Sequence, residues 1–364
     1  MTIREDFMNR IITTLALSGG VALAALSPAM AQETLRLTIA SGHPEVFLWV
    51  KHMHETFIPT VNAALAEKGD LQIEWTEAYG GTLMKLGSEA EALETGIADV
   101  AMASGVFDPA GMGILNITYA MPFGPIDPEM VTSAVEDALY GTEGLIDQLT
   151  DETGVVYIGG GVAIDGYNIA AKRPIRTRAD MDGMRIGGAG PNLAWLNSTG
   201  AVGVQGSYVT FYNDISTGVY DGNIGWMTAN VPARIYEVAP YWNRTDFGAM
   251  YIGGLGVAER LWEEFSDDTK DAFRKGAEAY SKAFFEEQSA KYAANEKTML
   301  EGGGEEIMME PAERQAWIDD MDNPVTAWRE AALARGEPVD EMLEIYRDTL
   351  AEDGFTFPRD YLAE

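Results

Sequence analysis

Cysteine is missing from this sequence, and histidine is scarce. The 364 residues include no cysteine and three histidines. Without thiols the chain can form no disulfide, has no cysteine nucleophile and offers no cysteine for lipid attachment. We therefore expect a fold that its hydrophobic core alone stabilises, and thiol enzymes are excluded.

Positive charge is also in short supply. Lysine and arginine together number 25 against 57 aspartates and glutamates, which gives a net charge of −32 at pH 7. Such a chain is repelled by the phosphates of nucleic acids and by anionic membrane surfaces. We predict no nucleic-acid partner, and the simplest interpretation of the charge is solubility in a salty compartment.

The motifs of several common catalytic sites are missing too. The chain contains no G-x-S-x-G, no G-x-x-x-x-G-K-[ST] and no H-E-x-x-H, which excludes the three enzyme classes that carry them. His52 and His54, two residues apart on a predicted helix, point to different faces and form a poor metal pair. The glycine runs at 159–161 and 187–190 lack the spacing of a dinucleotide site. The sequence predicts no metal site and no cofactor.

What is present begins with an export signal. Residues 11–26 are apolar but too short and too rich in glycine for a transmembrane helix, and Ala29-Met30-Ala31 supplies the small residues of a cleavage site. We predict that residues 1–31 are a signal peptide, cut between Ala31 and Gln32. The mature chain is then exported, and the periplasm of a Gram-negative bacterium fits it best.

Strand and helix patterns alternate along the mature chain, which indicates βαβ units and an α/β fold. A Pro/Gly-rich connection at 121–130 marks the first crossing between two domains. Ser266 with two aspartates after it is typical of a helix start, and Phe273, Ala277 and Tyr280 repeat at helical spacing. This pattern predicts a helix of about thirty residues or more that runs toward the glycines at 302–304. The predicted strands lie at 35–40, 71–79, 99–103, 154–161, 166–171 and 201–204, and shorter helices at 84–94, 192–198 and 207–217.

Arg185 is an isolated guanidinium among four glycines in GMRIGGAGPN, residues 183–192. Its planar donors match a carboxylate, and the neighbouring glycines let a ligand approach the backbone. The alternative is an ordinary surface ion pair with one of the many acidic residues. The residues alone leave both interpretations open.

Four segments carry a resemblance to a known family. They are YGGTLMKLGSEAEALETGIADVA (79–101), RPIRTRADMDGMRIGG (173–188), GVYDG (218–222) and IYEVAPYW (235–242). In their order and spacing the sequence resembles the dicarboxylate-binding (DctP) type of periplasmic solute-binding subunit from tripartite ATP-independent periplasmic (TRAP) transporters. The resemblance covers nearly the whole mature chain.

The resemblance implies a two-lobed periplasmic binding protein fold with a ligand cleft between the lobes and a long C-terminal helix. It implies a first α/β lobe of residues 32–157 plus about 243–270, and a second lobe of residues 158–242 plus about 271–364. It also implies a binder rather than an enzyme, which captures a small organic carboxylate and delivers it to a TRAP membrane permease driven by ion gradients. An exported α/β enzyme that acts on carboxylic acids is the alternative from another class.

The resemblance further implies that Arg185 clamps the substrate carboxylate. The interval from Asp180 to Arg185 is two residues shorter than in the family pattern. A second arginine near Tyr167 is missing, which favours a monocarboxylate (a 2-oxo, 2-hydroxy or aromatic acid) over a C4-dicarboxylate or a sugar acid. Because Gly225 precedes Trp226 where the monocarboxylate branch has an acidic residue, that branch's metal site is not expected.

Position in the predicted lobes suggests the other ligand-binding residues, each of which could instead pack in the core or form a local turn. We expect aromatic side chains to enclose the body of the ligand and polar ones to orient it. The predicted ligand-binding residues are Arg185, Trp226, Tyr167, Asn168, Tyr208, Asn192, His43 and Ser104.

Overall fold

A computed structural model describes residues 33–69 and 71–363. The predicted signal peptide and its cleavage site between Ala31 and Gln32 lie outside these residues. Among the helices of the described segments, none is long and apolar enough to cross a bilayer.

The first half of the chain alternates strands and helices, as predicted. A π-helical turn at Met53–Phe57 joins two of its helices into one rod, and the predicted helix at 84–94 is limited to its last six residues. The elements are β1 (Glu33–Ala40), α1 (Leu48–His52), α2 (Ile58–Lys68), β2 (Leu71–Ala78), α3 (Glu89–Glu94), β3 (Val100–Ala103), α4 (Ile117–Ala120), α5 (Pro128–Gly141), α6 (Leu145–Thr153) and β4 (Val155–Tyr157).

A second run of short strands follows. The predicted helix at 192–198 is a 3-10 helix at Gly190–Leu196, and the helix predicted at 207–217 is shorter. The elements are β5 (Val162–Ala171), β6 (Arg185–Gly188), β7 (Val202–Gln205), α7 (Phe211–Ser216), β8 (Gly222–Gly225), α8 (Met227–Asn230) and β9 (Tyr241–Ala258).

Helices dominate the remainder. The predicted long helix spans 35 residues and is capped as expected, since the Ser266 hydroxyl accepts a hydrogen bond from the Thr269 N–H. Its buried face includes Phe273, Ala277 and Tyr280. The elements are α9 (Glu259–Trp262), α10 (Asp267–Glu301), β10 (Glu305–Met308), α11 (Pro311–Asp320), α12 (Pro324–Ala334) and α13 (Val339–Glu352).

Strand β9 connects two lobes, because one end pairs in each. Its C-terminal part lies antiparallel to β3 and β4, beside β1 and β2, and this group forms the first lobe. Its N-terminal part pairs with β5 and β10, beside β8, β6 and β7, and this group forms the second lobe. Residues 241–250 therefore pair on the side of the second lobe. The two-lobed α/β architecture agrees with the prediction.

The crossing depends on local irregularities in the paired strands. The β5–β9 register shifts three times, and such bulges bend and twist a ladder. Gly253 lies at the change of lobe with φ +126°, and an added Cβ would lie 1.9 Å from the Ala103 carbonyl oxygen. Only glycine fits there.

Helix α10 braces both lobes. It packs against α1 and α2 of the first lobe, and against β5, α8 and β10 of the second. The final helices α12 and α13 pack against α4 and α5.

Candidate functional site

A cavity of about 400 Å³ lies between the lobes, at the carboxyl ends of five strands. Ser41 follows β1, Ser104 follows β3, Ala189 follows β6, Gly206 follows β7 and Trp226 follows β8, and all five residues line it. In open α/β sheets ligands bind at this edge, where loops leave the strands. We call this cavity the cleft.

One wall of the cleft is an aromatic cluster from the first lobe. The Phe47 and Trp49 rings stack with centroids 4.5 Å apart, and the His43 imidazole contacts Phe47, Trp49 and Phe107 edge-on at 5.2 to 5.3 Å. Burial lowers the pKa of His43 to about 4. The imidazole is therefore neutral at physiological pH.

The facing wall is a second aromatic cluster, from the other lobe. The Trp226 ring meets Tyr167 at 5.1 Å and Tyr208 at 4.9 Å, in both cases edge to face. The hydroxyl groups of Tyr167 and Tyr119 lie 3.3 Å apart. Ligand entering the cleft would contact aromatic surface from both lobes.

Buried polar contacts hold the second wall in place. The Asp165 carboxylate accepts hydrogen bonds from the Thr228 N–H at 3.1 Å and from the Thr228 hydroxyl, so it fixes the turn that carries Trp226. Burial raises the pKa of Asp165 to about 6, and the Thr228 bonds oppose that shift. The Tyr208 hydroxyl donates to Asn230 Oδ1 at 2.9 Å. These two anchors orient the rings before a ligand arrives.

Glu89 supplies the charge in the cleft. Its oxygens accept hydrogen bonds from the backbone N–H groups of Gly42, at 3.3 Å, and Gly87, at 2.7 Å. Burial raises the pKa of the Glu89 carboxyl. Among the described residues that line the cleft, none is lysine or arginine.

Arg185 lies outside the cleft, which corrects the prediction of a carboxylate clamp. Its guanidinium donates to the Gly218 carbonyl at 2.7 Å and lies 3.5 Å from the Asp221 carboxylate, and the side chain is 48% exposed. Arg185 is the first residue of β6. Because each strand residue advances about 3.3 Å, Arg185 lies about 10 Å from the edge where β6 meets the cleft. Arg185 therefore forms a surface ion pair with Asp221, which was the alternative interpretation of this residue.

Residue 187 is where the longer family spacing would place the arginine, and here it is glycine. A Cβ at Gly187 would lie 2.8 Å from the ring of Phe211 and 3.2 Å from that of Tyr220. Aromatic side chains therefore occupy the space that a longer side chain at this position would need.

Asn168 is the second predicted site residue outside the cleft. Its Nδ2 donates to the Gly166 carbonyl at 3.1 Å, and its Oδ1 accepts from the Asp246 N–H at 2.9 Å. Both contacts secure the irregular pairing of β5 with β9. Asn168 therefore has a structural role in the crossing.

The structure brings the other six predicted residues together in the cleft. They are His43, Ser104, Tyr167, Asn192, Tyr208 and Trp226. Sequence reasoning missed Phe47, Trp49, Phe107 and Glu89, which also line the cleft. Phe107 shortly follows β3, and Phe47 shortly follows β1, so the rule that sites form at strand ends could have found these two. Nothing in the local pattern of α3 distinguishes Glu89 from its other glutamates.

Two lobes around a cleft, with one strand shared between them, form the fold that solved periplasmic solute-binding proteins also have. The sequence profile of the family described as "Bacterial extracellular solute-binding protein, family 7" (DctP) matches residues 49–331. The chain belongs to this family. Its members and structural relatives are solute-binding proteins of transporters and not enzymes.

Curated relatives match over shorter stretches. A solute-binding protein of Roseobacter denitrificans is 29% identical over 30% of this chain and 34% of its own length. The C4-dicarboxylate-binding periplasmic protein DctP of Vibrio cholerae is 24% identical over 42% of this chain and 46% of its own length. The chain thus matches between a third and a half of each relative.

Solved structures share the fold over most of the chain. A TRAP periplasmic solute-binding protein of Desulfovibrio salexigens, in an open complex, superposes with a TM-score of 0.74 at 19% identity, covering 88% of this chain and 97% of its own. A solute receptor of Bordetella pertussis that binds pyroglutamic acid has a TM-score of 0.67 at 18% identity, covering 86% and 99%. A protein of Chromohalobacter salexigens with bound D-glucuronate has a TM-score of 0.68 at 18% identity, covering 86% and 99%.

Proposed function

We propose that this chain captures a small organic solute in the cleft and delivers it to the membrane permease of a TRAP transporter from the periplasm. The observation that carries the proposal is the meeting of two aromatic clusters, one from each lobe, at the carboxyl ends of the strands. A solute held between them would draw the lobes together, which is the hinge closure of two-lobed binding proteins. Family membership supports the transport role.

The chemistry of the walls indicates a solute with an apolar body. His43, Phe47 and Trp49 face Trp226 and Tyr208 across the cleft, and most of the lining is apolar. Ser104 and Asn192 add neutral polar groups, one from each lobe. Apolar enclosure with a few polar groups suits a small metabolite whose body is excluded from water.

A monocarboxylate is the second candidate ligand. The bound pyroglutamic acid and D-glucuronate of structural relatives favour an acid. In this cleft a carboxylate would have to be held by neutral donors, since Arg185 is engaged with Gly218 and Asp221. Desolvating an anion without a cationic partner is unfavourable, which weakens this candidate.

Mass spectrometry of the compound released on denaturing freshly purified protein tests the proposal. We expect one small molecule in stoichiometric amount, which rebinds to the emptied protein without turnover. Trp226→Ala should weaken rebinding at least about ten-fold, because an aromatic surface of the cleft wall is lost.

The matched control is Trp262→Ala, which removes a partly buried tryptophan that contacts Phe265 and Phe273, outside the cleft lining. It should leave the affinity unchanged. If Trp226→Ala and Trp262→Ala bind equally well, or if no compound of a broad metabolite library raises the melting temperature, the proposed function is refuted.

A further inference from the structure

The cleft pairs aromatic surface with negative charge. Glu89 is the carboxylate in its wall, and no lysine or arginine of the described residues lines it. The Asp108 carboxylate, which is also negative, acts on Glu89 as well. Because the His43 imidazole is neutral, it adds no positive charge to the described lining of the cleft.

Neighbouring cations are engaged elsewhere. An adjacent cavity that shares Trp49 and Trp226 with the cleft also contains Lys291, whose ammonium lies 3.1 Å from the Glu287 carboxylate. Glu287 also lies 2.7 Å from the Lys51 ammonium. These two lysines are therefore paired with Glu287 and not with Glu89.

The Glu89 carboxylate has capacity to receive a cation. Oε1 accepts a hydrogen bond from the Gly42 N–H, Oε2 accepts one from the Gly87 N–H, and the Glu89 N–H also bonds the carboxylate, which has about four acceptor positions in all. These three bonds fix the orientation of the carboxylate without neutralising it. A positively charged ligand group could therefore contact the remaining acceptor position of the Glu89 carboxylate.

The aromatic walls of the cleft also favour a cationic ligand. Cations are attracted to the faces of tryptophan, tyrosine and phenylalanine rings, and groups of such rings bind organic ammonium ions. Phe47 and Trp49 on one side, and Tyr208 and Trp226 on the other, provide such surface. The net charge of −32 attracts cations toward the protein.

We propose that the ligand of this cleft is an organic cation, an ammonium group on an apolar body that lies between the aromatic walls with its charge toward Glu89. This inference rests on the proposed function, because it names the substrate class of the same site. It departs from the acids that structural relatives hold.

The test compares three probes of nearly equal shape by isothermal titration. They are choline, the uncharged alcohol in which carbon replaces the choline nitrogen, and the tert-butylacetate anion. We expect choline to bind at least about ten-fold more tightly than either of the others. Glu89→Gln should abolish that preference.

Glu91→Gln is the matched control, since Glu91 lies on the same helix with its side chain exposed. It should keep the preference for choline, and melting curves establish that both variants fold. An anion that binds as tightly as choline, or choline that binds no better than the alcohol, overturns the inference. If the anion is preferred and its binding still depends on Trp226, the proposed function stands and only the substrate class fails.

Discussion

Acid should destabilise this protein through His43 and stabilise it through Asp165, in amounts that nearly cancel. Burial lowers the pKa of His43 from 6.5 to about 4. At pH values between these two pKa values the imidazole is protonated in the unfolded chain but not in the folded protein. Acidification from about pH 7 to about pH 4 therefore lowers the free energy of unfolding by about 3 kcal/mol. The surrounding Phe47, Trp49 and Phe107 rings, which exclude water from the imidazole, are the physical cause.

The contribution of Asp165 to stability depends on pH in the opposite direction. Its pKa is raised from 3.8 to about 6, so the folded protein binds a proton that the unfolded chain releases in that range. Its contribution to stability is therefore present at low pH and lost as the pH rises through about 6, by about 2 kcal/mol. The wild-type protein should consequently show only a small net response from this pair of groups.

Variants separate the two contributions. Urea unfolding followed by tryptophan fluorescence gives the free energy of unfolding of wild type and His43→Gln at about pH 7 and about pH 4, at constant ionic strength. The stability of wild type minus that of His43→Gln should fall by about 3 kcal/mol on acidification. The same difference for Asp165→Asn should rise by about 2 kcal/mol. A His43→Gln difference that is equal at both pH values would refute the claim that His43 is held neutral by burial.

Two further variants test the position of Arg185 and the crossing of β9. Arg185→Ala should leave the affinity for the co-purified solute unchanged within about two-fold. It should reduce the free energy of unfolding by at most about 1 kcal/mol, because the Arg185 side chain that contacts Asp221 and Gly218 is half exposed. A ten-fold loss of affinity in titration calorimetry would show that Arg185 does contact the ligand. Gly253→Ala should reduce the free energy of unfolding in urea by at least about 3 kcal/mol, because its Cβ would overlap the Ala103 carbonyl oxygen at a positive φ; a fully stable variant would contradict the described crossing.

The sequence predicts the elements whose determinants are local. Helix α10 follows from the Ser266 cap and a regular apolar face, and β1 and β2 follow from alternation in short segments. The 18 residues of β9 escaped prediction because the strand includes four glycines and derives its partners from segments as distant as β3 and β10. Pairing with remote strands overrides local propensity there.

The site was predicted in part for the same reason. Ser104 and Tyr208 follow strands that the sequence predicts, at 99–103 and 201–204. Their position at the carboxyl edge of the sheet, where the cleft lies, could therefore be inferred. The clamp predicted at Arg185 was implied by the family resemblance, whereas the residue lies at the start of β6, away from the end of the strand that meets the cleft. Where this short strand begins depends on its pairing with β7 and β8, which the local sequence does not encode.

The strand shared by both lobes also constrains how the chain acquires its structure. The edge of β3 is covered only by residues 254–257, which follow it by about 150 positions, so the amino-terminal segment exposes unpaired backbone until most of the chain is available. Contacts over such distances slow folding, because a long loop must close before they form. The first lobe should therefore not fold as an independent unit. A product truncated before residue 254 should aggregate instead of forming a folded lobe.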